Sequence, residues 1–202
     1  MDALLPYRDV KHRALESLRK LDGHSERLLD EMSLAGDSVL RRSPVEGAWT
    51  PLQTLHHILL AERAGVDYLL YKFGQDDHEV ATPAPRTWRT RLNGKLLAAA
   101  LASPLKFKAP AMTDARREEP GKNLTLDLAA HQLRNCRADL RELLGQLPES
   151  WFRGAPFKHA VAGRLSLGDM LLFMRVHHRR HAKQIRRGLA QNAGYYRRQK
   201  AG

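Results

Sequence analysis

Apolar side chains recur near the start of the chain at Val10, Ala14, Leu18, Leu21, Leu28 and Met32, separated by charged residues. Steps of three, four and seven bring them onto one stripe, which predicts a long amphipathic helix from Tyr7 to about Leu34, stopping near Gly36. A loop containing Ser43, Pro44 and Gly47 follows. Thr50-Pro51 then offers an N-cap oxygen and a proline at the first helical position, where its missing N–H costs nothing. A second helix is predicted from Pro51 to about Phe73.

Between Gly74 and Arg86 the residues Gly, Asp, His, Thr and Pro dominate, and Pro83 and Pro85 exclude a continuous helix. A shorter helix is expected over Thr87–Ala102. Residues Ser103–Asn123 hold three prolines, a basic stretch at Lys106 and Lys108 and the run REEPGKN, the composition of a mobile surface loop. Thr125 caps a further helix whose stripe is Leu126, Ala129, Leu133, Cys136, Leu140, Leu143, Leu144 and Leu147, ended by Pro148. After an irregular stretch, Glu149–Leu165, the tetrad Ser166-Leu-Gly-Asp169 reads as a capping box with Asp in place of Glu, and the last helix runs to about Ala190. No strand-like alternation of useful length is present. The prediction is all-α: a four-helix bundle with an additional short helix and a loop insert, one domain over residues 1–190 and a basic tail over 191–202.

Composition narrows the setting. A chain of 202 residues buries an adequate core without metal or disulfide staples. The single cysteine, Cys136, cannot form an intrachain disulfide; a reducing, cytoplasmic location is expected, with Cys136 an inert core thiol. The start, MDALLPYRDV, does not read as a signal peptide, and the longest apolar run, Leu96–Ala102, falls far short of the roughly 20 residues that span a bilayer. No membrane partner is expected. The net charge of +12 suits a polyanion, an anionic substrate or merely a soluble surface. Its distribution says more, because no acidic residue follows Asp169.

Ten histidines are present, and the informative ones are clustered: His56-His57 in the second helix and His177-His178-Arg-Arg-His181 in the last. His177 and His181 are four apart, so their imidazoles project from one face a turn apart and can grip one metal ion. They fall on the same side as Met170, Met174, Ile185 and Leu189, facing the core. A zincin needs Glu directly after the first His, where His178 stands, and a di-iron carboxylate bundle needs Glu-x-x-His motifs that are missing. A third imidazole would come from the second helix. Measured against Leu55, Ile58, Leu59, Val66, Leu69 and Phe73, His56 lies nearer the apolar face than His57, so periodicity favours His56.

The stretch Trp49-Thr50-Pro51-Leu52-Gln53-Thr54-Leu55-His56-His57-Ile58, paired with His177-His178-Arg179-Arg180-His181-Ala182-Lys183-Gln184-Ile185, resembles the DinB superfamily, the DinB/YfiT-like metalloenzymes. The shared patterns are W-(S/T)-x6-H opening the second helix and H-x3-H-x2-Q-I on the last. The resemblance implies a four-helix bundle with unusual connections, often homodimeric, and three metal ligands falling on His57, His177 and His181. This chain departs from the pattern in its long segment from about Gly74 to Asn123 and its basic C-terminus.

Three imidazoles leave a divalent ion with its full charge and open positions, the arrangement of a catalytic site, and imidazole suits Zn, Ni, Fe or Cu alike. The resembled superfamily includes S-transferases using low-molecular-weight thiols such as bacillithiol or mycothiol, and a maleylpyruvate isomerase. The leading expectation is therefore a metal-dependent thiol S-transferase or hydrolase acting on a small-molecule substrate. Arg137, Arg175 and Arg180 are candidates to hold an anionic substrate, with a solvated basic face as the plainer reading. Glu62 and Asp67 are the nearest carboxylates on the second helix, either as second partners of an imidazole or as surface charges. Trp49 is expected to pack the entry of that helix. His159 is a candidate to approach the site, while His12, His24, His78 and His131 have no visible role. Two other classes stand beside the enzyme. One is nucleic-acid binding through the basic segment with Tyr195-Tyr196-Arg197-Arg198; the other is a non-catalytic stress-response bundle.

Overall fold

In a computed structural model of the protein the described residues are 7–74, 83–103, 113 and 124–201. They form α1 (Tyr7–Ser33), α2 (Asp37–Arg41), α3 (Pro51–Gly74), α4 (Trp88–Ala102), α5 (Leu126–Gln146), α6 (Glu149–Arg153), β1 (Phe157–His159), β2 (Gly163–Leu165) and α7 (Leu167–Ala201). Helices α1 and α3 each pack against both α5 and α7, and α4 lies along α7. The result is the all-α four-helix bundle, with its core made by the predicted stripes. Leu18, Leu21, Leu28 and Met32 of α1 meet Leu55, Ile58 and Leu69 of α3, Leu133, Cys136 and Leu140 of α5, and Met170, Met174 and Ile185 of α7. Burying one such side chain stabilises the fold by about 1.5–3 kcal/mol. Burial also pushes the Cys136 thiol up to about 12, so it stays protonated and inert.

The helix starts are fixed by local chemistry. Thr50 accepts from the Gln53 amide at 3.0 Å while Gln53 Oε1 accepts from the Thr50 amide at 2.9 Å, a reciprocal capping box at the head of α3. Thr125 accepts from the Leu128 amide at 3.1 Å. The Ser166–Asp169 pair closes as read from sequence, with the Asp169 amide 3.1 Å from Ser166 Oγ and the Ser166 amide 3.3 Å from Asp169 Oδ2. Gly94 of α4 lies against this cap: a Cβ there would stand 2.6 Å from the Asp169 carboxyl. Gly94→Ala must displace Asp169 and is expected to cost about 1–2 kcal/mol, read as a lowered thermal midpoint.

Beyond the short helix α2 in the stretch predicted as a loop, three features differ from the sequence expectation. The irregular stretch after α5 contains the one-turn helix α6 and an antiparallel hairpin pairing Phe157 with Leu165 and His159 with Gly163. Three-residue strands carry too little alternation to be seen by periodicity, and Gly163 supplies the positive φ of 71° that the turn requires. Part of the proline-rich stretch before α4 is anchored too, since Pro85 bridges to Gly154 and the Ala155 amide donates to Ala84 O at 2.8 Å. Third, α7 does not stop near Ala190 but continues unbroken to Ala201. Buried Asn192 donates to Val39 O and Arg42 O, both at 2.8 Å, and the Arg42 guanidinium stacks 3.4 Å above the Tyr195 ring. Docking on α2 and the turn after it thus extends the helix without an apolar stripe. Lys106, Lys108, the REEPGKN run, His78 and most of the expected mobile loop lie outside the described residues.

Candidate metal centre

Helix α7 presents His177 and His181 to α3, which presents His57. All three side chains are buried, and one ring nitrogen from each lies within 4.8 Å of the other two. His57 Nε2 and His177 Nε2 lie 3.1 Å apart. That separation suits two imidazoles on one ion with metal–nitrogen bonds of about 2.0–2.1 Å. Angular counting had favoured His56; the structure puts His57 in the cluster instead. The physical reason is that α3 is covered on several sides, by α5, α7, α2 and β1, so residues 54–59 are all buried and the densest apolar line does not mark the side facing α7.

The outer ring nitrogens are held in place. His57 Nδ1 donates to the Thr113 carbonyl at 2.6 Å, and His181 Nδ1 lies 3.1 Å from Gln184 Oε1. Such bonds orient a ligand ring and turn its other nitrogen's lone pair inward. His177 Nδ1 is buried and makes no hydrogen bond among the described residues; Phe173 stacks on this ring at 5.4 Å between centroids. Trp49 packs the entry of α3, as expected, with its indole 4.7 Å from the His57 ring and 6.4 Å from His181. Spacing alone would have shown Gln184, one turn after His181, as that ring's neighbour. Thr113 had no sequence signal, because it contributes a backbone carbonyl.

Burial, aided by the neighbouring rings of His181 and His57, holds His177 well below the ordinary histidine range. Burial and then the His57 ring lower His181 to about 4. At neutral pH both are therefore uncharged and carry a lone pair for a cation.

The remaining candidates lie outside the three-histidine cluster. Arg137 is buried, its guanidinium paired with both Glu62 oxygens at 2.8 Å, and it lines a cavity between α1 and α5 that none of the three clustered histidines lines. The same contact engages both Glu62 oxygens, and Asp67 is an exposed charge paired with Arg63. Arg180 donates to Ser103 O at 3.0 Å at the end of α4, and Arg175 is half-buried on α7. His159 is separated from His177 by Phe173, whose ring stands 4.9 Å from its own. His12 and His131 are exposed and His24 is half-buried.

A family model described as the DinB superfamily matches residues 20–185, a span holding the bundle from α1 into α7 and all three clustered histidines. The chain belongs to the DinB superfamily. No curated protein and no solved structure matches it. DinB-like proteins bind metals, and in this member three histidines are placed to hold one ion. No described helix is long and apolar enough to cross a membrane.

Proposed function

We propose that His57, His177 and His181 bind one divalent ion and that this DinB protein is a metal-dependent enzyme, a thiol S-transferase or hydrolase acting on a small molecule. The observation that carries the reading is the convergence of three buried imidazoles from two helices, two of them with their outer N–H already engaged. Closed structural zinc sites use four protein ligands, whereas the described residues offer three, the number that leaves a position open. When bound, zinc, nickel or iron would supply a water or low-molecular-weight thiol acidified toward neutrality. The chain's own part is positioning: α3 and α7 hold the rings, while Trp49 and Phe173 cover His57 and His177 and limit water around them. Homodimeric assembly belongs to the same reading and is checked by sedimentation equilibrium.

Metal analysis tests it. Purified protein without an affinity tag is loaded with Zn, Ni or Fe, dialysed, and compared with the His177→Ala, His181→Ala double variant. About one ion per chain, lost in the variant, is expected; negligible metal in both proteins would refute the site. On the nucleic-acid alternative, Tyr195 already carries the Arg42 guanidinium on its face, and the Tyr196 hydroxyl lies 3.4 Å from Ser38 O.

A further inference from the structure

We propose that Thr54 and Gln184 form a positioning relay that fixes the tautomer of His181, an inference that builds on the metal-site reading above. Thr54 Oγ1 lies 2.9 Å from the Thr50 carbonyl oxygen and 3.4 Å from Gln184 Nε2. A threonine hydroxyl has one proton to give, and a carbonyl can only accept, so the shorter contact takes that proton. Oγ1 is left as an acceptor toward Gln184. The amide of Gln184 must then turn its NH2 to Thr54, which directs Oε1 at His181 Nδ1, 3.1 Å away. An amide oxygen also only accepts, so Nδ1 carries the ring proton and Nε2 keeps the lone pair.

A backbone carbonyl in the first turn of α3 thus sets the proton position of a ring on α7. Thr54 is 1% exposed, and its buried hydroxyl finds its partners in Thr50 O and Gln184. His57 takes its orientation separately, from Thr113 O. His181 is the cluster member whose state depends on α3 and α7 keeping their register, and neither Thr54 nor Gln184 needs to touch the ion or substrate.

Side-chain 15N NMR of the metal-free protein reads the tautomer directly. His181 in the wild type is expected to be protonated at Nδ1. Thr54→Val frees the Gln184 amide to flip and is expected to give mixed tautomers and a zinc affinity weaker by about 10-fold or more in chelator competition. Thr54→Ser should restore both readouts, and Gln184→Leu should shift the tautomer without touching α3. An Nε2-protonated His181 in the wild type overturns the relay, as does Thr54→Val with tautomer and affinity unchanged. Since the tautomer is read without metal, failure of the wild type to bind zinc would count against the metal site alone.

Discussion

Arg137→Met is expected to lower the free energy of unfolding by about 3–5 kcal/mol, because it leaves a buried carboxylate without its counter-charge. Glu62 is 2% and Arg137 3% exposed, and the guanidinium meets both carboxylate oxygens at 2.8 Å. The same arginine donates to Ser25 Oγ at 2.5 Å and to Leu21 O at 3.3 Å on α1. Ser25 Oγ in turn lies 3.4 Å from the ring of His178 on α7. Side chains from all four bundle helices therefore meet beside a cavity lined by Asp22, Ser25 and Arg137, where a paired network is tolerated and a broken one is costly. Replacing both charges, Glu62→Leu with Arg137→Met, is expected to recover most of the loss, since two apolar groups demand no partner. Urea unfolding of the two single variants and the double variant provides the cycle. Losses that simply add, or a single-variant loss below about 1 kcal/mol, would show that the pair is solvated rather than sealed. The network also bears on the metal centre, because Glu62 stands five residues beyond His57 and His178 adjoins His177. It ties α3, through Glu62, and α7, through His178, to α5 and α1.

This ion pair shows how much of the interior was legible in the residues. Leu133, Arg137, Leu140 and Leu144 step by four, three and four along α5, and Ile58, Glu62, Val66 and Leu69 step by four, four and three along α3. Each charge thus sits within the buried stripe of its helix, and opposite charges in two such stripes call for each other. Reading Arg137 as a substrate-binding cation overlooked that spacing. The four main helices and the capping residues Thr50, Thr125 and Ser166 were legible because amphipathic periodicity and side-chain caps are local. So were His177 and His181, which continue the apolar side of α7. Helices α2 and α6 and the hairpin are shorter than the window over which a period can be detected. The continuation of α7 past Ala190 rests on Asn192 reaching across to Val39 and Arg42, a contact between segments about 150 residues apart. His57 was reached by family pattern alone, because a helix covered on several sides has no single apolar face from which to count.

Acid is expected to destabilise the metal-free protein at a pH where most of its carboxylates are still charged. Burial, and then the Arg137 charge, lower His178 to about 3; burial and the His57 ring lower His181 to about 4; and His177 is held well below its ordinary value. In the unfolded chain all three return to about 6.5. Below that value the unfolded state binds protons that the folded state refuses, so stability is complete above pH 6.5 and falls as pH drops toward the folded values. Each such histidine contributes a slope of about 1.4 kcal/mol per pH unit, or about 4 kcal/mol per unit for the three together. Against a total stability of about 5–15 kcal/mol for a domain, that slope removes a large part of the total within about two units of pH 6.5. Urea unfolding of chelator-treated protein at pH 7.5 and pH 5.5 is expected to show a loss of about 4 kcal/mol. His178→Leu, which removes one of the three groups, should flatten the slope by about a third even if it lowers the starting stability. A stability that is level between pH 7.5 and 5.5 would mean that these rings accept protons in place, and would remove the sealed interior on which both the ion pair and the metal cluster depend.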